Sequence, residues 1–369
     1  MSSLIPFRKV VVPESLSAAI ANAAASGTFA GAVETLEADV AAYTGQRYAV
    51  ATSSSTAALH LAMCALDLKR GDKVLCPINA FVDLPEVVRH FDAEPVFVDT
   101  LADGYALDPE KVREAAQRYP GKKLRAILVA HPAGEPAPMS ALREIADELN
   151  LKIIEDATEM MGSPIVGRYS DMAVLGFGSK IDNTFDGGML LTDHAPYDER
   201  ARLLRNHGMV FPSGEATYLY DVLDIGCQYR MQDFSAVYAR ELFARHDADL
   251  ERRRAIAQRY RKALKGLDNL TLPKEHPDHL YTQFVVQVAT NRDAFARKLK
   301  AEGVEVGVQY VPLNQTRYYK EKYGLKVFDF PRALDAYQKT MSLPIYPSLS
   351  DDEVDRVAQA VVRVAKDHR

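Results

Sequence analysis

The chain has 369 residues, of which 47% are hydrophobic and 26% are charged. This composition is typical of a globular protein, and the length predicts two domains because a single core rarely serves so long a chain. Lys and Arg total 45 against 50 Asp and Glu, for a net charge of −5. This balance argues against a general nucleic-acid binder, because phosphate recognition needs clustered positive charge.

The cysteines and the N-terminus indicate the compartment. Three cysteines without paired spacing argue against a disulfide framework and against a zinc site. The first residues lack the basic start and the apolar stretch of a signal peptide, and no apolar run is long enough to span a membrane. We therefore expect a soluble, cytoplasmic protein with no metal and no membrane partner.

Between residues 47 and 193, short β-branched runs alternate with amphipathic helical runs. The predicted strands are Tyr48–Thr52, Lys73–Cys76, Pro95–Asp99, Ala126–His131, Lys152–Glu155, Met172–Phe177 and Met189–Thr192. The helices predicted between them are Thr56–Leu68, Leu84–His90, Pro109–Tyr119 and Ser140–Asn150. This alternation predicts an α/β fold with a mostly parallel, seven-stranded sheet covered on both faces. Such sheets bind ligands where loops leave the carboxyl ends of strands.

The flanking segments complete the predicted organisation. Two helices, near Leu16–Ala25 and Thr35–Tyr43, form an N-terminal arm on a large domain of residues 1–245. A long helical stretch from Asp233 to about Leu267 leads into a smaller α+β domain, residues 246–369. Within that domain we predict strands at Tyr281–Val288 and near Val304–Tyr310, and helices at Arg292–Glu302 and Asp352–Lys366.

Two motifs follow predicted strands and suggest a charged ligand. Hydroxyl and small residues between Thr52 and Leu59 begin a helix, where free N–H groups and the positive dipole end favour an anion. Glu155 and Asp156 close a buried strand, where a carboxylate needs a cationic partner such as a protonated pyridine nitrogen. When each motif is taken alone, ordinary helix capping is the favoured explanation.

A third motif supplies an amine. Lys180 follows a strand and is preceded by Gly176 and Gly178, which would let a ligand approach the backbone, and Gly187-Gly188 comes shortly after. Lysine forms imines with carbonyl compounds once its surroundings lower its pKa. Together the three motifs offer a phosphate site, a partner for a ring nitrogen and an amine for an aldehyde, which are the requirements of pyridoxal phosphate.

From about residue 15 to residue 365 the sequence resembles the DegT/StrS-type sugar aminotransferases, which belong to the fold-type-I pyridoxal-phosphate enzymes. The stretches that carry the resemblance are Ser55–Leu61, Glu94–Asp99, His131–Gly134, Ile154–Ala157, Lys180 with Gly187-Gly188, Arg205–Gly208, Tyr229-Arg230 and Ser342–Pro344. The order and spacing of these stretches along the whole chain make the resemblance specific.

The resemblance implies an activity and a set of site residues. The enzyme would transfer an amino group from glutamate to a nucleotide-linked keto-sugar, with 4-keto-6-deoxy sugars as candidates, and pyridoxal 5′-phosphate would pass through its pyridoxamine form. Lys180 would form the Schiff base and Asp156 would pair with the ring nitrogen. The remaining cofactor contacts would be Ser55, Thr56, Ala57, Phe81, Glu159 and Gln228.

A homodimer with shared active sites is also implied, in which the loop around Gln228 and Tyr229 would reach the partner's site. His131, Tyr229 and Tyr310 are candidates for substrate contact or for a supporting role, and core packing is the alternative for His131. Phe81 would stack on the cofactor ring or simply pack in the core.

Four departures from the family pattern bear on cofactor binding. Glu159 stands where the family usually has Gln, whose amide donates to the cofactor's phenolate oxygen, and an ionised carboxylate cannot donate. Leu175 and Gly176 occupy the region of a missing phosphate-binding Ser. Ser55 replaces a glycine and Gln228 replaces an Asn. Two alternatives stay open. One is a dehydratase that uses pyridoxamine phosphate, against which Lys180 counts. The other, which these changes motivate, is a ligand-sensing homologue without turnover.

Overall fold

The computed structural model describes residues 4–9, 12–27, 31–119, 121, 123–178, 185–211, 219–308 and 310–368. Seven strands of the N-terminal part form one sheet: β1 (Tyr48–Thr52), β2 (Lys73–Pro77), β3 (Glu94–Val98), β4 (Leu124–Ala130), β5 (Lys152–Asp156), β6 (Met172–Gly176) and β7 (Gly188–Thr192). The strands run in the order β1, β7, β6, β5, β4, β2, β3. Only β7 is antiparallel to its two neighbours. The predicted α/β fold and its mostly parallel sheet are confirmed.

The helices of this part are α1 (Leu16–Ser26), α2 (Ala32–Thr44), α3 (Ser55–Ala65), α4 (Asp83–Arg89), α5 (Pro109–Gln117), α6 (Met139–Glu148), α7 (Ala195–Arg205) and α8 (Asp233–Ala244). Local sequence sets several of their starts. Asp108 caps α5 by accepting from the N–H of Glu110, and Pro109 fits the first turn because no hydrogen bond is needed from its nitrogen.

Apolar side chains cover both faces of the large sheet. On one face Leu59 and Met63 of α3 and Leu84 of α4 pack with Leu128 and other strand residues. On the opposite face the side chains of α5 and α6 pack against β2, β4 and β5. Helix α2 packs on the sheet, because its Leu36 and Val40 are fully buried in a cluster with strand residues.

The C-terminal part has a second sheet, which is antiparallel and consists of β10 (Leu270–Thr271), β11 (Phe284–Val288) and β12 (Thr340–Leu343). Its helices are α9 (His246–Leu264), α10 (Arg292–Ala301), α11 (Arg317–Tyr323), α12 (Pro331–Lys339) and α13 (Asp351–Asp367). Tyr260, Phe284, Phe295 and Val361 form part of its own core. A two-stranded antiparallel sheet, β8 (Met209–Val210) with β9 (Asp221–Val222), lies between α7 and α8 in sequence.

Two predicted elements differ from the structure. The long helix after Asp233 is broken, because the N–H of Arg245 bonds to the carbonyl of Leu242 and ends α8 before α9 begins. The strand predicted near Val304–Tyr310 is wrong: in its described residues only isolated bridges occur, from Val304 to Ile5 and from Gly307 to Ser342. The N-terminal segment takes the pairing of Val304, and the ring of Phe7 lies against Gly307.

Asp99, which ends one of the motifs, joins the two parts of the chain. Its carboxylate accepts from the N–H groups of Arg332 and Ala333 at the start of α12, at 3.1 and 2.9 Å. A carboxylate at a helix N-terminus satisfies donors that would otherwise be unpaired. Within the described parts of the chain, no helix combines the length and the apolar character needed to cross a membrane.

Candidate active site

The three motifs meet at one edge of the large sheet. Parallel strands β1, β5 and β6 end there, and the antiparallel β7 begins there. Gly188 is paired both with Thr52 at the end of β1 and with Gly176 at the end of β6. Asp156 at the end of β5 is paired with Val174 on β6. Sheet pairing alone therefore brings the helix-start motif, the acidic motif and the flank of the lysine segment together.

Close backbone contacts bring the loops into a single cradle. A Cβ at Gly188 would lie 2.3 Å from the carbonyl oxygen of Ser54, so only glycine fits there without displacing the start of α3. A Cβ at Gly176 would lie 3.3 Å from Cγ2 of Thr158 and 3.5 Å from Cβ of Ser55. Gly176, in the region of the missing serine, thus lies between the phosphate motif and the acidic motif.

The start of α3 has a conventional cap. Ser54 Oγ accepts from the N–H of Ala57 at 3.0 Å, and the hydroxyl of Thr56 donates to Asp83 Oδ2 at 3.2 Å. The N-cap explanation therefore holds for Ser54. Thr56 and Ala57, which the resemblance assigns to the phosphate, make these contacts within the protein, beside Ser55.

The two acids of the second motif face different surroundings. Glu155 is fully buried and accepts from Gly167 N–H at 3.0 Å and Ser170 Oγ at 2.7 Å. Asp156 faces the cleft, where the N–H and the hydroxyl of Thr158 donate to its Oδ1 at 3.1 and 2.6 Å. Because strand side chains alternate between faces, only one of two adjacent acids can face this cleft, and it is Asp156.

The cleft beside Asp156 brings together five of the eleven predicted site residues. Its walls include Asp156, Thr158, Glu159, His131, Phe81 and Tyr310. The rings of Phe81 and Tyr310 lie 5.6 Å apart between centroids, with an interplanar angle of 57°. Burial, followed by the charges of Glu159 and Asp156, raises the pKa of Tyr310 well above 10. Its hydroxyl therefore stays protonated at neutral pH.

His131 uses both ring nitrogens within the protein. Nδ1 accepts from the N–H of Ala137 at 2.9 Å, so the proton lies on Nε2, which donates to Glu155 at 3.1 Å. The histidine is 2% exposed. Its ring borders the cleft, and its hydrogen bonds support the strand ends there.

Glu159 links the cleft to the C-terminal sheet. Its Oε2 accepts from the N–H of Ala133 at 2.7 Å, and its Oε1 accepts from Nε2 of Gln283 at 3.1 Å. Ala133 has a φ of 63°, a left-handed conformation that turns its N–H toward the carboxylate. The His131–Gly134 motif therefore shapes a binding site for Glu159.

Gln228 and Tyr229 lie outside this cleft. Gln228 borders a neighbouring pocket with Ser53 and Arg230. The carbonyl of Tyr229 accepts from the N–H of Ser53 at 2.8 Å, and its ring packs edge-on against His60 of α3, 5.6 Å away. Lys180 lies outside the described residues. Its described flanks come together at the same edge, since a Cβ at Gly178 would lie 2.1 Å from the carbonyl oxygen of Phe185.

Sequence reasoning missed Thr158, Asp83, Gln283 and Arg8. The position of Thr158 two residues after Asp156 is a recognisable signal, because such residues often bond to a preceding carboxylate. The other three come from distant parts of the chain and carry no local signal. Arg8, on the N-terminal segment that pairs at Val304, lies near enough to Tyr310 to lower its pKa slightly against the larger raising effects.

Comparisons with known proteins agree with this architecture. The model of the DegT/DnrJ/EryC1/StrS aminotransferase family matches residues 14–362. The spore coat polysaccharide biosynthesis protein SpsC of Bacillus subtilis is 32% identical over 352 residues, which are 90% of each chain.

Solved structures extend the likeness to the fold. DesV of S. venezuelae, in complex with a ketimine intermediate, has a TM-score of 0.85 and 31% identity, covering 95% of this chain and 94% of DesV. NtdA of Bacillus subtilis, with its cofactor PMP bound, has a TM-score of 0.89 and 27% identity, covering 99% and 86%. The chain belongs to the DegT/DnrJ/EryC1/StrS aminotransferase family.

Proposed function

We propose that this aminotransferase uses pyridoxal 5′-phosphate to move an amino group from glutamate to a nucleotide-linked keto-sugar, with 4-keto-6-deoxy sugars as the first candidates. The observation that carries the proposal is the meeting of Asp156, the start of α3 and the flanks of the Lys180 segment at one sheet edge. The polysaccharide role in the name of SpsC and the PMP bound to NtdA support the substrate class and the cofactor.

The residues present fit the cofactor. When bound, pyridoxal phosphate supplies a reactive carbonyl carbon and an electron-withdrawing ring. Asp156, oriented by both donors of Thr158, is suited to hold a proton at the ring nitrogen. Phe81 is placed to stack on one face of the ring, and Glu159 to face the ring hydroxyl. Lys180 would bind the carbonyl carbon and move the proton at the substrate carbon.

The start of α3 is the proposed phosphate site. Ser55, Thr56 and Ala57 form its first turn, where the helix dipole favours an anion. Phosphate oxygens would compete with Asp83 for the Thr56 hydroxyl and with Ser54 for the Ala57 N–H. This competition predicts a weaker phosphate site than one with free donors.

Arg8 is the proposed contact for the anionic parts of the substrates. It is exposed, its guanidinium lies 5.2 Å from the Phe7 ring centroid, and its charge acts on Tyr310 at the cleft. Glutamate carboxylates and nucleotide phosphates would both be attracted to it. His131 and Tyr229 would act as supporting residues behind the cleft and α3.

A homodimer with shared sites accounts for an exposed apolar surface. Around the β8–β9 sheet, Phe211, Tyr220, Leu223 and Ile225 are 58%, 58%, 61% and 93% exposed. Contiguous apolar side chains of this kind mark an interaction surface. Gln228, close by in sequence, would reach the partner's site.

The division into domains at residues 245 and 246 also remains a proposal, as does a cytoplasmic location, which the three free cysteines support.

A single-turnover experiment tests the proposal. Glutamate added to the protein loaded with pyridoxal phosphate should convert the bound cofactor to pyridoxamine phosphate and release 2-oxoglutarate in equal amounts. The Lys180→Ala variant should lose this reaction. If neither glutamate nor glutamine changes the absorbance of the bound cofactor, the amino-donor assignment is wrong and the ligand-sensing alternative gains support.

A further inference from the structure

A run of hydrogen bonds leads from the C-terminal sheet to Glu159. Ser342 on β12 donates through Oγ to Oε1 of Gln283 at 2.9 Å, and Gln283 donates through Nε2 to Oε1 of Glu159 at 3.1 Å. Ser342 is 1% exposed and Gln283 is 4% exposed, so the first bond is shielded from water. Ser342 belongs to the Ser342–Pro344 motif, whose role the amino-acid sequence does not indicate.

The direction of these bonds depends on the charge of Glu159. An ionised carboxylate can only accept, so Gln283 must turn its NH₂ group toward Glu159 and its carbonyl toward Ser342. The Ser342 hydroxyl must then donate. These hydrogen bonds are consistent with an ionised Glu159, whose other oxygen accepts from the Ala133 N–H. Hydrogen bonds donated to both oxygens favour the ionised form.

Backbone hydrogen bonds hold Ser342, which donates to Gln283, and the loop of Ala133, which donates to Glu159. Ser342 exchanges two main-chain hydrogen bonds with Gly307, at 3.0 and 2.8 Å. The loop that carries Ala133 is docked on the C-terminal part, because the carbonyl of Gly134 accepts from Leu280 N–H at 2.9 Å. A Cβ at Gly134 would lie 3.0 Å from Oγ1 of Thr282, which shows how close this docking is.

We propose that Gln283 and Ser342 are positioning residues that hold Glu159 as an ionised acceptor in the cleft. Through them the C-terminal sheet sets the charge that faces the cofactor. The part of this proposal that concerns the cofactor rests on the proposed function. There the negative charge of Glu159 keeps the proton on the ring hydroxyl, where an amide would favour its loss.

An exchange of the two side chains tests the hydrogen bonds without any cofactor. Gln283→Glu places two carboxylates in contact, so one of them must take up a proton, and the loss of stability should grow from pH 5 to pH 8. In the double variant Glu159→Gln, Gln283→Glu, every donor again meets an acceptor. Its urea midpoint should return close to that of the wild type over the same pH range.

Gln287→Glu is the matched control, because Gln287 lies on β11 and donates to the hydroxyl of Tyr105 at 3.2 Å. It adds the same charge four residues farther along the same segment without facing Glu159. The proposed hydrogen bonds are wrong if Gln283→Glu is no less stable than this control. They are also wrong if the double variant does not recover the stability of the wild type.

The cofactor measurement separates positioning from simple structural support. In the double variant the negative charge moves from residue 159 to residue 283, one side chain farther from the cleft. The pH at which bound pyridoxal phosphate loses the proton of its ring hydroxyl, read from absorbance, should fall by about one unit or more. If stability recovers but the absorbance titration is unchanged, the hydrogen bonds from Ser342 to Glu159 only support the fold. If the wild type binds no pyridoxal phosphate, both the proposed function and the effect of Glu159 on the cofactor are wrong. The urea data still test the hydrogen bonds in that case.

Discussion

Gly188→Ala tests whether the start of α3 holds the phosphate. The added Cβ would lie 2.3 Å from the carbonyl oxygen and 2.5 Å from the carbonyl carbon of Ser54, and 2.7 Å from the nitrogen of Ser55. Ordinary contact begins near 3.4 Å, so the backbone at the start of the helix must move by about 1 Å. A flexible side chain could not relieve this contact, because all three atoms are backbone.

Such a shift has two expected costs. Overpacking of this size destabilises the folded protein by about 1–3 kcal/mol. A displacement of about 1 Å at the proposed phosphate site should also weaken binding of pyridoxal phosphate at least about tenfold, which equals roughly 1.4 kcal/mol. Urea unfolding of the cofactor-free protein measures the first cost, and absorbance titration with pyridoxal phosphate measures the second.

Gly104→Ala is the control. Its Cβ would meet only side-chain atoms of Leu101, at 3.3 and 3.5 Å. Gly104 belongs neither to the first turn of α3 nor to the walls of the cleft. Both quantities should stay near the wild-type values in this variant. If Gly188→Ala folds and binds pyridoxal phosphate as tightly as the wild type, the first turn of α3 does not hold the phosphate.

Three further predictions concern stability, titration and assembly. Burial alone would raise the pKa of Asp171, but the Ile153 N–H and the side chains of Lys152 and Arg143 lower it overall. Asp171→Asn should therefore lower the free energy of unfolding, measured with urea, by about 2–3 kcal/mol at neutral pH. The difference from wild type should shrink as the pH falls below 3.8, and an equal difference at pH 3 would refute the charge argument. Because the Tyr310 hydroxyl stays protonated, Tyr310→Phe should change the transamination rate by a constant factor between pH 6 and about pH 9. A shift of the alkaline limb of the pH–rate profile would contradict this. Ile225→Asp should convert the proposed dimer to monomer in sedimentation, whereas an unchanged mass would place the interface elsewhere.

Much of the fold could be predicted from sequence because its signals are local. Each of the seven strands of the large sheet coincides with a short apolar run, and the predicted and observed strand ends differ by only a few residues. The break at Arg245 could not be predicted, because no proline or glycine marks it. The extended run after Gly303 has the pattern of a strand. Whether it joins a ladder depends on Ile5 and Phe7, which are about 300 positions away.

The site could be predicted only in part. Asp156, Phe81, Glu159 and His131 line one cleft because each follows the end of a strand, and such ends share an edge. The partners that fix their charge and orientation come from elsewhere. Gln283 is 124 positions from Glu159, and nothing in its own neighbourhood indicates the contact.

The central claim is that Lys180 is the amine that binds pyridoxal phosphate beside Asp156. Borohydride reduction of the loaded protein, followed by peptide mass analysis, tests it most directly. We expect the mass of the reduced cofactor on the peptide that contains Lys180, with no such mass in the Lys180→Arg variant. Cofactor mass on a different lysine, or on none, would contradict the account.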